Sequence, residues 1–393
     1  MKLNKDVIYI LNSLQEAGFE GFVVGGCVRD YLMGLDPHDY DITTNALPTD
    51  SKKIFPRTVD TGIKHGTVTV LVGKRSYEVT TYRIDGEYKD SRHPEEVIFV
   101  QDIEKDLSRR DFCMNAIAYS PKEGYIDPFG GRNDIKSGII KGVGDPNLRF
   151  NEDALRMLRA VRFSAQLGFK IEENTYDALK KNAELIKNVS MERVAAELLR
   201  LLCSSHCEKA ELLCSANLGD YCVPEITEAL RKRGAEIIPV LKNANKNGYN
   251  NEEIALAAVL ARDPDPLKAL KDLKLSNRLI DNVTALIKYY DFNLKTGEYE
   301  LRRLYSLLGE LVFELLNLKE AKGEDISKAF EFLKGEKRLT KKDLCVNGRD
   351  LMSLGLKGRQ IGVAEEGLLD MILSNPNLNE KDILLKEALK WLR

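Results

Sequence analysis

Two aspartates, Asp39 and Asp41, lie two positions apart, and a third carboxylate, Glu78, lies on a later β-type run. Alternate residues of a strand share a face, so Asp39 and Asp41 on one strand would point the same way. Close carboxylates repel each other unless a cation lies between them, and Mg²⁺ prefers one or two carboxylates together with phosphate oxygens and water. This pattern suits two-metal nucleotidyl transfer, with Glu78 completing the set. Asp-x-Asp alone is as often an exposed surface pair.

A glycine pair, Gly25 and Gly26, follows the short apolar run Phe22 to Val24 and precedes a helical run. Glycine lets the backbone approach a bulky anion, and a helix start presents unpaired N–H groups. We therefore predict that these glycines hold the phosphates of a triphosphate, with Arg29 as their charged partner one helical turn further on. By itself, a Gly-Gly pair is equally often a plain turn.

Charged residues recur at every third position in the stretch Asp153, Arg156, Arg159 and Arg162. On a helix over 152–167, which the periodicity predicts, they form a polar ridge beside a buried apolar row. A carboxylate beside a guanidinium suits a base edge, since the carboxylate accepts from the exocyclic amine of cytosine or adenine. Such a site would leave buried groups unpaired with uracil or guanine. The alternative is an ordinary amphipathic helix supported by a Glu152–Arg156 pair.

The elements that must position these residues change character along the chain. Up to about residue 140, β-branched alternating runs lie among helical ones, with a hairpin around Gly73 and a polar loop over 83–96. From about residue 151 helical periodicity dominates, including one continuous stretch over 300–318. We predict an α+β fold with a mixed sheet of about five strands at the N-terminus, followed by an all-α remainder.

Composition restricts the class of protein. A chain of 393 residues exceeds one typical core, and a net charge of −2 means that a nucleic-acid partner needs a local basic patch. We expect a cytoplasmic protein without a membrane span, because no apolar run has the length of a span or a signal peptide. The seven cysteines show no disulfide spacing. A group at 203–222 could supply four zinc ligands, but its spacing matches no zinc site, so we expect these residues in the core: Cys203, His206, Cys207, Cys214 and Cys222.

Five stretches, in this order, resemble the class II tRNA nucleotidyltransferases, the CCA-adding enzymes, whose head is shared with bacterial poly(A) polymerases. They are 25–30 (GGCVRD) with 39–41 (DYD), 109–116 (RRDFCMNA), 127–131 (DPFGG), 152–156 (EDALR) and 193–197 (RVAAE). The resemblance is continuous over about residues 20–200. It departs from the family at Cys113, where a threonine is usual.

The resemblance implies a domain order and a set of roles. The order is a polymerase-beta-like nucleotidyltransferase head over 1–140, a base-recognising neck over 141–200, a helical body over 201–290 and a tRNA-binding tail over 291–393. The implied roles are metal binding by Asp39 and Asp41, triphosphate binding by Gly26 and Arg29, sugar and phosphate contacts by Arg110 and Asp111, and base recognition by Asp153 and Arg156, with Arg159 and Arg162 lining that pocket. A hinge at 127–131 and a loop at 83–96 associated with the terminal A are also implied.

The implied activity is addition of C, C and A to the tRNA 3′ end from CTP and ATP, without a nucleic-acid template and with Mg²⁺ as cofactor. Addition of A only or of CC only, poly(A) synthesis, transfer to a small molecule and non-catalytic RNA binding are the alternatives. Basic pairs at 302–303, 337–338 and 341–342 are candidate phosphate contacts, although such pairs are more often solvated faces.

Overall fold

The structure is a computed structural model that describes residues 1–37, 39–85 and 97–392. It contains two compact units, the first formed by residues 1–232 with 272–274 and the second by 233–271 with 275–393. All strands of the described ranges lie in the first unit, and the rest is helical, so the α+β prediction is confirmed. No helix in these ranges is long and apolar enough to cross a membrane.

The first unit contains a seven-stranded mixed sheet and two small sheets of two strands each. The strands are β1 (Gly21–Val24), β2 (Asp41–Thr44), β3 (Thr58–Gly62), β4 (Thr67–Val72), β5 (Arg75–Thr81), β6 (Arg83–Asp85), β7 (Val97–Phe99), β8 (Ala118–Ser120), β9 (Gly124–Ile126), β10 (Ile139–Ile140) and β11 (Lys170–Ile171). The large sheet has the order β3-β4-β5-β2-β1-β8-β9, and its only parallel pair is β2 with β5 among the described residues.

The prediction of about five strands was too low, because β3, β8 and β9 carry little periodic pattern. Strand β3 lies at the edge of the sheet with no buried residue, and β8 and β9 have three residues each. The predicted loop over 83–96 also begins as a strand, since β6 pairs with β7. Residues 86–96 of that loop lie outside the described residues.

The first unit also contains the helices that position the candidate residues. They are α1 (Lys5–Glu16), α2 (Gly26–Leu32), α3 (Pro48–Ile54), α4 (Ile103–Ser108), α5 (Gly131–Ser137), α6 (Pro146–Glu152), α7 (Leu155–Leu167), α8 (Glu173–Asn182), α9 (Met191–Leu202), α10 (Glu211–Ser215), α11 (Leu218–Cys222) and the first part of α12 (Pro224–Lys246), which is interrupted by non-helical backbone at Arg233, where the second unit begins. Short 3₁₀ turns include Cys113–Asn115.

Strand β1 is buried on both faces, which makes it the centre of the first unit. Val23 joins the core that α1 covers, whereas Phe22 and Val24 join a second core with Leu107 of α4. Alternate residues of a strand point to opposite faces, so a continuous apolar run is required here. The chain leaves β1 at Gly25, and the candidate site is built at that end of the strand.

The second unit is helical, with α13 (Glu252–Leu260), α14 (Pro266–Asp272), α15 (Asn277–Lys288), α16 (Glu298–Leu308), α17 (Leu311–Ala321), α18 (Ser327–Gly335), α19 (Gly348–Ser353), α20 (Arg359–Ser374) and α21 (Lys381–Ala388). The continuous helix predicted over 300–318 is wrong. Gly309 adopts φ +58 and ψ −142 and separates α16 from α17, because a left-handed residue ends a right-handed helix.

Candidate active site

Three carboxylates meet at one edge of the large sheet. Asp41 begins β2, where it pairs with Val24 on β1 and with Glu78 on β5. Asp39, Asp41 and Glu78 are exposed, and all three line a cleft of about 620 Å³. The prediction that both aspartates belong to a strand is wrong for Asp39, which precedes β2 by two residues. A smaller cavity of about 310 Å³ lies between α1 and the β8–β9 turn, away from these carboxylates.

The charge on Asp41 is shaped by opposing effects. Loss of water at the base of the cleft raises the pKa of the Asp41 carboxyl, although much of its surface faces the opening. The Arg110 guanidinium lowers this pKa, and the negative charge of Asp39 raises it. The repulsion between these two neighbouring carboxylates is one that a divalent cation would relieve.

The glycine turn makes room for Arg110. Gly25 has φ +75 and ψ −135, a conformation that side chains with a Cβ rarely adopt. A Cβ at Gly25 would lie 3.1 Å from Nη1 of Arg110 and 3.8 Å from Oδ2 of Asp41. Helix α2 begins at the next residue, Gly26. The turn therefore brings backbone, guanidinium and carboxylate together without a side chain between them.

Arg29 is buried and already has protein partners. Its Nε and Nη2 donate to Oδ1 of Asp30 at 2.9 and 2.7 Å, and its Nη1 donates to Oδ1 of Asn115 at 2.8 Å. Only 6% of Arg29 is exposed. Contact between Arg29 and a phosphate would therefore require an exchange of partners.

Asp111 ties the sheet region to helix α7. Its Oδ2 accepts from Nε and Nη2 of Arg159 at 2.9 and 2.7 Å, and its Oδ1 accepts from Phe112 N and Asn115 Nδ2. Burial by itself raises the pKa of the Asp111 carboxyl, but Arg159 and the hydrogen bond from Asn115 outweigh this and lower the pKa to about 2. Asp111 therefore links Asn115 to Arg159 of α7 through its two carboxylate oxygens.

One aromatic ring, Phe163, gathers three guanidinium groups. The Cζ atoms of Arg29, Arg159 and Arg162 lie 5.1, 5.3 and 3.7 Å from its centroid. Cations are attracted to the face of an aromatic ring, more strongly where water is excluded, and Phe163 is 5% exposed. The ring therefore helps to hold together arginines that would otherwise repel one another. Phe163 was not among the residues predicted from the sequence.

A polar ridge on one helix was predicted for Asp153 to Arg162. Its three arginines do lie on one helix, α7, but Asp153 does not. Asp153 has φ −141 and ψ 102 and separates α6 from α7, so the continuous helix over 152–167 is wrong. The Asp153 carboxylate accepts from the backbone N of Leu155, a local bond by which aspartate competes with helix. The companion row Leu155, Leu158 and Val161 is buried, as predicted.

The two candidate base-recognition residues are also held by protein partners. Arg193 donates to both carboxylate oxygens of Asp153 at 3.3 and 2.8 Å. Arg156 donates to Oε2 of Glu152 at 2.7 Å and to the carbonyl oxygen of Arg109 at 2.9 Å. Since Arg109 precedes Arg110, a short chain of contacts runs from Arg156 to the guanidinium beside Asp41.

A buried ion pair completes the arginine cluster of Arg29, Arg156, Arg159 and Arg162. Arg162 Nε donates to Oε2 of Glu197 at 2.5 Å, and Arg159 Nη1 lies 3.7 Å from Oε1 of Glu197. Arg193 and Glu197 were not predicted as site residues. Their spacing of four residues in the 193–197 stretch indicates one helix face, and this spacing is the sequence signal that could have identified them.

The other expectations concern metals, hinge and basic pairs. In the described part of the chain, no three His, Cys, Asp or Glu side chains form a metal site by themselves, so a cation held by Asp39 and Asp41 would need phosphate oxygens and water as further ligands. Cys207 and Cys222 are buried as expected, and burial raises the pKa of the Cys222 thiol to about 12, but Cys203 and Cys214 are only partly buried. In the predicted hinge, Asp127 accepts from the backbone N of Gly131 at 2.7 Å. Arg302 is not an open phosphate contact here, because Glu298 and Glu336 pair with it.

Three family models match the chain. They are described as the poly A polymerase head domain (residues 21–141), the probable RNA and SrmB-binding site of polymerase A (168–230) and tRNA nucleotidyltransferase domain 2 (250–388). A CCA-adding enzyme from Lactobacillus helveticus is 36% identical over 96% of this chain and 94% of the relative. One from Listeria monocytogenes is 38% identical over 98% and 96%.

Solved structures agree with these relatives. The Bacillus stearothermophilus CCA-adding enzyme in complex with CTP matches with a TM-score of 0.87 and 32% identity, covering 98% of this chain and 96% of that one. The Thermotoga maritima CCA-adding enzyme complexed with tRNA has a TM-score of 0.65 and 23% identity, over 100% and 97%, and supports the fold alone. Because the similarity to curated relatives extends along nearly the whole of both chains, this chain belongs to the family of CCA-adding enzymes.

Proposed function

We propose that the chain is a tRNA nucleotidyltransferase that adds C, C and A to the tRNA 3′ end from CTP and ATP. The observation that carries the proposal is the cleft in which Asp39, Asp41 and Glu78 stand beside Arg110 and the open turn at Gly25. Membership of a family of CCA-adding enzymes supports this choice of substrates.

In this mechanism, Asp39 and Asp41 would hold Mg²⁺ through their carboxylates, because this ion prefers one or two carboxylates together with phosphate oxygens and water. When bound, the metal would activate the tRNA 3′-hydroxyl and stabilise the departing pyrophosphate. Gly25 and Gly26 admit the triphosphate, and Arg110 supplies positive charge beside Asp41. Positioning and charge stabilisation account for most of the rate, since no covalent step through the protein is needed.

The choice of nucleotide is assigned to the edge formed by Asp153 and Arg156. Asp153 accepts from the exocyclic amine of cytosine or adenine, and Arg156 donates to a ring or carbonyl acceptor. The bond that Arg193 donates to Asp153 and the bond that Arg156 donates to Glu152 support this role, because they orient Asp153 and Arg156 before a base arrives. Arg29, Arg159 and Arg162 contribute a fixed wall of guanidinium groups to the same pocket, and the Asp111 carboxylate anchors Arg159 there.

We propose the same domain division as the sequence predicts, with a head over 1–140, a neck over 141–200, a body over 201–290 and a tail over 291–393. The ranges of the three family models support this order. The tail would grip tRNA through shape and backbone rather than base sequence. A cytoplasmic location is supported by the seven cysteines, whose spacing in the sequence shows no disulfide framework.

The test is incorporation by the purified full-length chain into tRNA transcripts that end before CCA, after C and after CC, with each of the four NTPs offered singly. The expected result is CTP addition to the first two transcripts and ATP addition to the third. ATP addition alone would indicate an A-adding enzyme, and CTP addition alone a CC-adding enzyme. Long A tails would indicate a poly(A) polymerase, and tRNA binding without transfer a non-catalytic RNA-binding protein.

A further inference from the structure

Asp106, in helix α4, is a fully buried carboxylate that the proposed mechanism does not use. It is 0% exposed, and a charge removed from water must be compensated by partners. Its neighbours come from several elements of the first unit. They are Thr43 Oγ1 at 3.3 Å, the backbone N of Arg83 at 3.3 Å, Arg109 Nε and Nη2 at 3.0 and 2.9 Å, and Arg110 Nη2 at 3.6 Å.

The two oxygens of Asp106 serve different partners. Oδ1 accepts from Arg109 and from the backbone N of Arg83, the first residue of β6. Oδ2 accepts from Thr43 and faces Nη2 of Arg110. Thr43 lies two residues after Asp41 on β2. The Asp106 carboxylate therefore connects β2, the first residue of β6 and the arginine pair at 109–110.

Arg110 therefore lies between two carboxylates. Its Nη2 faces Asp106, and its Nη1 faces the open turn at Gly25, next to Oδ2 of Asp41. Its Nε is buried and has no hydrogen-bond partner within residues 1–37, 39–85 and 97–392, so these charges dominate its placement. With Asp106 absent, the guanidinium would be drawn towards Asp41 and would occupy the carboxylate that the proposed function needs for Mg²⁺.

We propose that Asp106 is a positioning residue that holds Arg110 back from Asp41, so that the guanidinium faces the phosphates and sugar of the incoming nucleotide. This role rests on the proposed function, because it requires that Arg110 contacts the incoming nucleotide. Asp106 touches no substrate and acts through Arg110. A purely structural Asp106 would instead stabilise the first unit through Arg109, and its loss would leave the placement of Arg110 unchanged.

The test measures CTP affinity by isothermal titration calorimetry on the full-length chain with Mg²⁺ and without tRNA, alongside the thermal unfolding midpoint. Asp106→Asn should weaken CTP binding about tenfold, which corresponds to about 1.4 kcal/mol. In an Arg110→Met background, the same substitution should change CTP affinity by less than about twofold, since interacting residues are not additive. Arg109→Met is the matched control, expected to lower the unfolding midpoint while changing CTP affinity by less than about twofold.

Three results would overturn the proposal: unchanged CTP affinity in Asp106→Asn, full additivity with Arg110→Met, or an equal loss of CTP affinity in Arg109→Met. If Asp106→Asn does not fold, the double variant Asp106→Leu with Arg109→Leu replaces both charges by apolar groups, which buried ion pairs often tolerate. Its CTP affinity should fall by about the same tenfold factor, and wild-type affinity there would also contradict the role. A wild-type chain that binds CTP but extends no tRNA would refute the proposed function and leave this inference standing.

Discussion

The carboxylate cleft and the arginine cluster differ in how far their charges are paired with other groups of the protein. In the cleft, Asp39, Asp41 and Glu78 are exposed, and Arg110 is the cation that lowers the pKa of Asp41. In the cluster, every guanidinium has carboxylate, amide, carbonyl or aromatic partners within the protein. The carboxylates of the cleft are therefore accessible to a ligand, whereas the arginines of the cluster form a fixed wall that is held by protein partners.

This difference predicts how substitutions divide between activity and stability. A residue whose charge repels its neighbours contributes little to folding, so its replacement affects chemistry and leaves the fold intact. A residue with satisfied buried partners contributes to folding, and its replacement leaves those partners uncompensated. The following predictions test the two halves of that comparison.

The largest expected effect is on the cleft side, in Asp41→Ala. Loss of this carboxylate should lower nucleotide transfer by at least about a thousandfold, as expected when charge stabilisation of a transition state is removed. The thermal unfolding midpoint should stay the same or rise, because loss of water and repulsion from Asp39 together outweigh the attraction of Arg110 for the Asp41 charge. Transfer assays measure the loss of activity, thermal unfolding measures the midpoint, and tRNA binding is measured alongside them. Wild-type transfer in Asp41→Ala would show that the cleft is not the active site.

On the cluster side, Glu197→Gln should chiefly affect folding. It leaves Arg162 without its buried carboxylate, and breaking such a pair costs about 3 kcal/mol of unfolding free energy. Urea titration at pH 7 measures the change. The matched control is Glu184→Gln, which removes an exposed pair with Lys187 and should cost less than about 1 kcal/mol. Equal costs in the two variants would contradict the description of the cluster as a fixed wall.

Asp111→Asn should lower the unfolding free energy by about 2 kcal/mol at pH 7, given the folded pKa of about 2. A carboxyl with a lowered folded pKa stabilises the fold above its unfolded pKa of about 3.9, and the contribution disappears as pH falls towards the folded pKa. The gap between wild type and variant should therefore be full at pH 7 and shrink between about pH 4 and pH 2. A gap independent of pH in urea titrations would contradict the charge assignment of Asp111.

The smallest expected effect is on selectivity, at the boundary between the two regions. Arg156→Ala should reduce the preference for CTP over UTP about tenfold, because one donor to the base edge is lost. Single-nucleotide incorporation at matched protein concentration gives this ratio. Arg149→Ala is the control, since it removes the other partner of Glu152 without touching the proposed base edge. Unaltered preference in Arg156→Ala would argue against base recognition by this residue.

Sequence patterns predicted the parts of the fold that depend on local periodicity. The apolar run of β1, the hairpin of β4 and β5 around Gly73 and the helical remainder all follow from residue spacing. Elements with weak local patterns were missed or merged. The edge strand β3 and the three-residue strands β8 and β9 are stabilised by their neighbours, and the breaks at Asp153 and Gly309 lie inside helical periodicity.

The sequence by itself determined the α+β organisation, the pairing of two nearby aspartates with a glycine turn and the family resemblance. These depend on residue types at short separations, which a strand or helix converts directly into a shared face. Tertiary structure alone decided that Glu78 lies beside Asp41, that Phe163 gathers arginines from α2 and α7, and that Asp106 faces Arg110. Those contacts join elements that no local spacing relates, since strand order and side-chain packing bring them together only after the chain has folded.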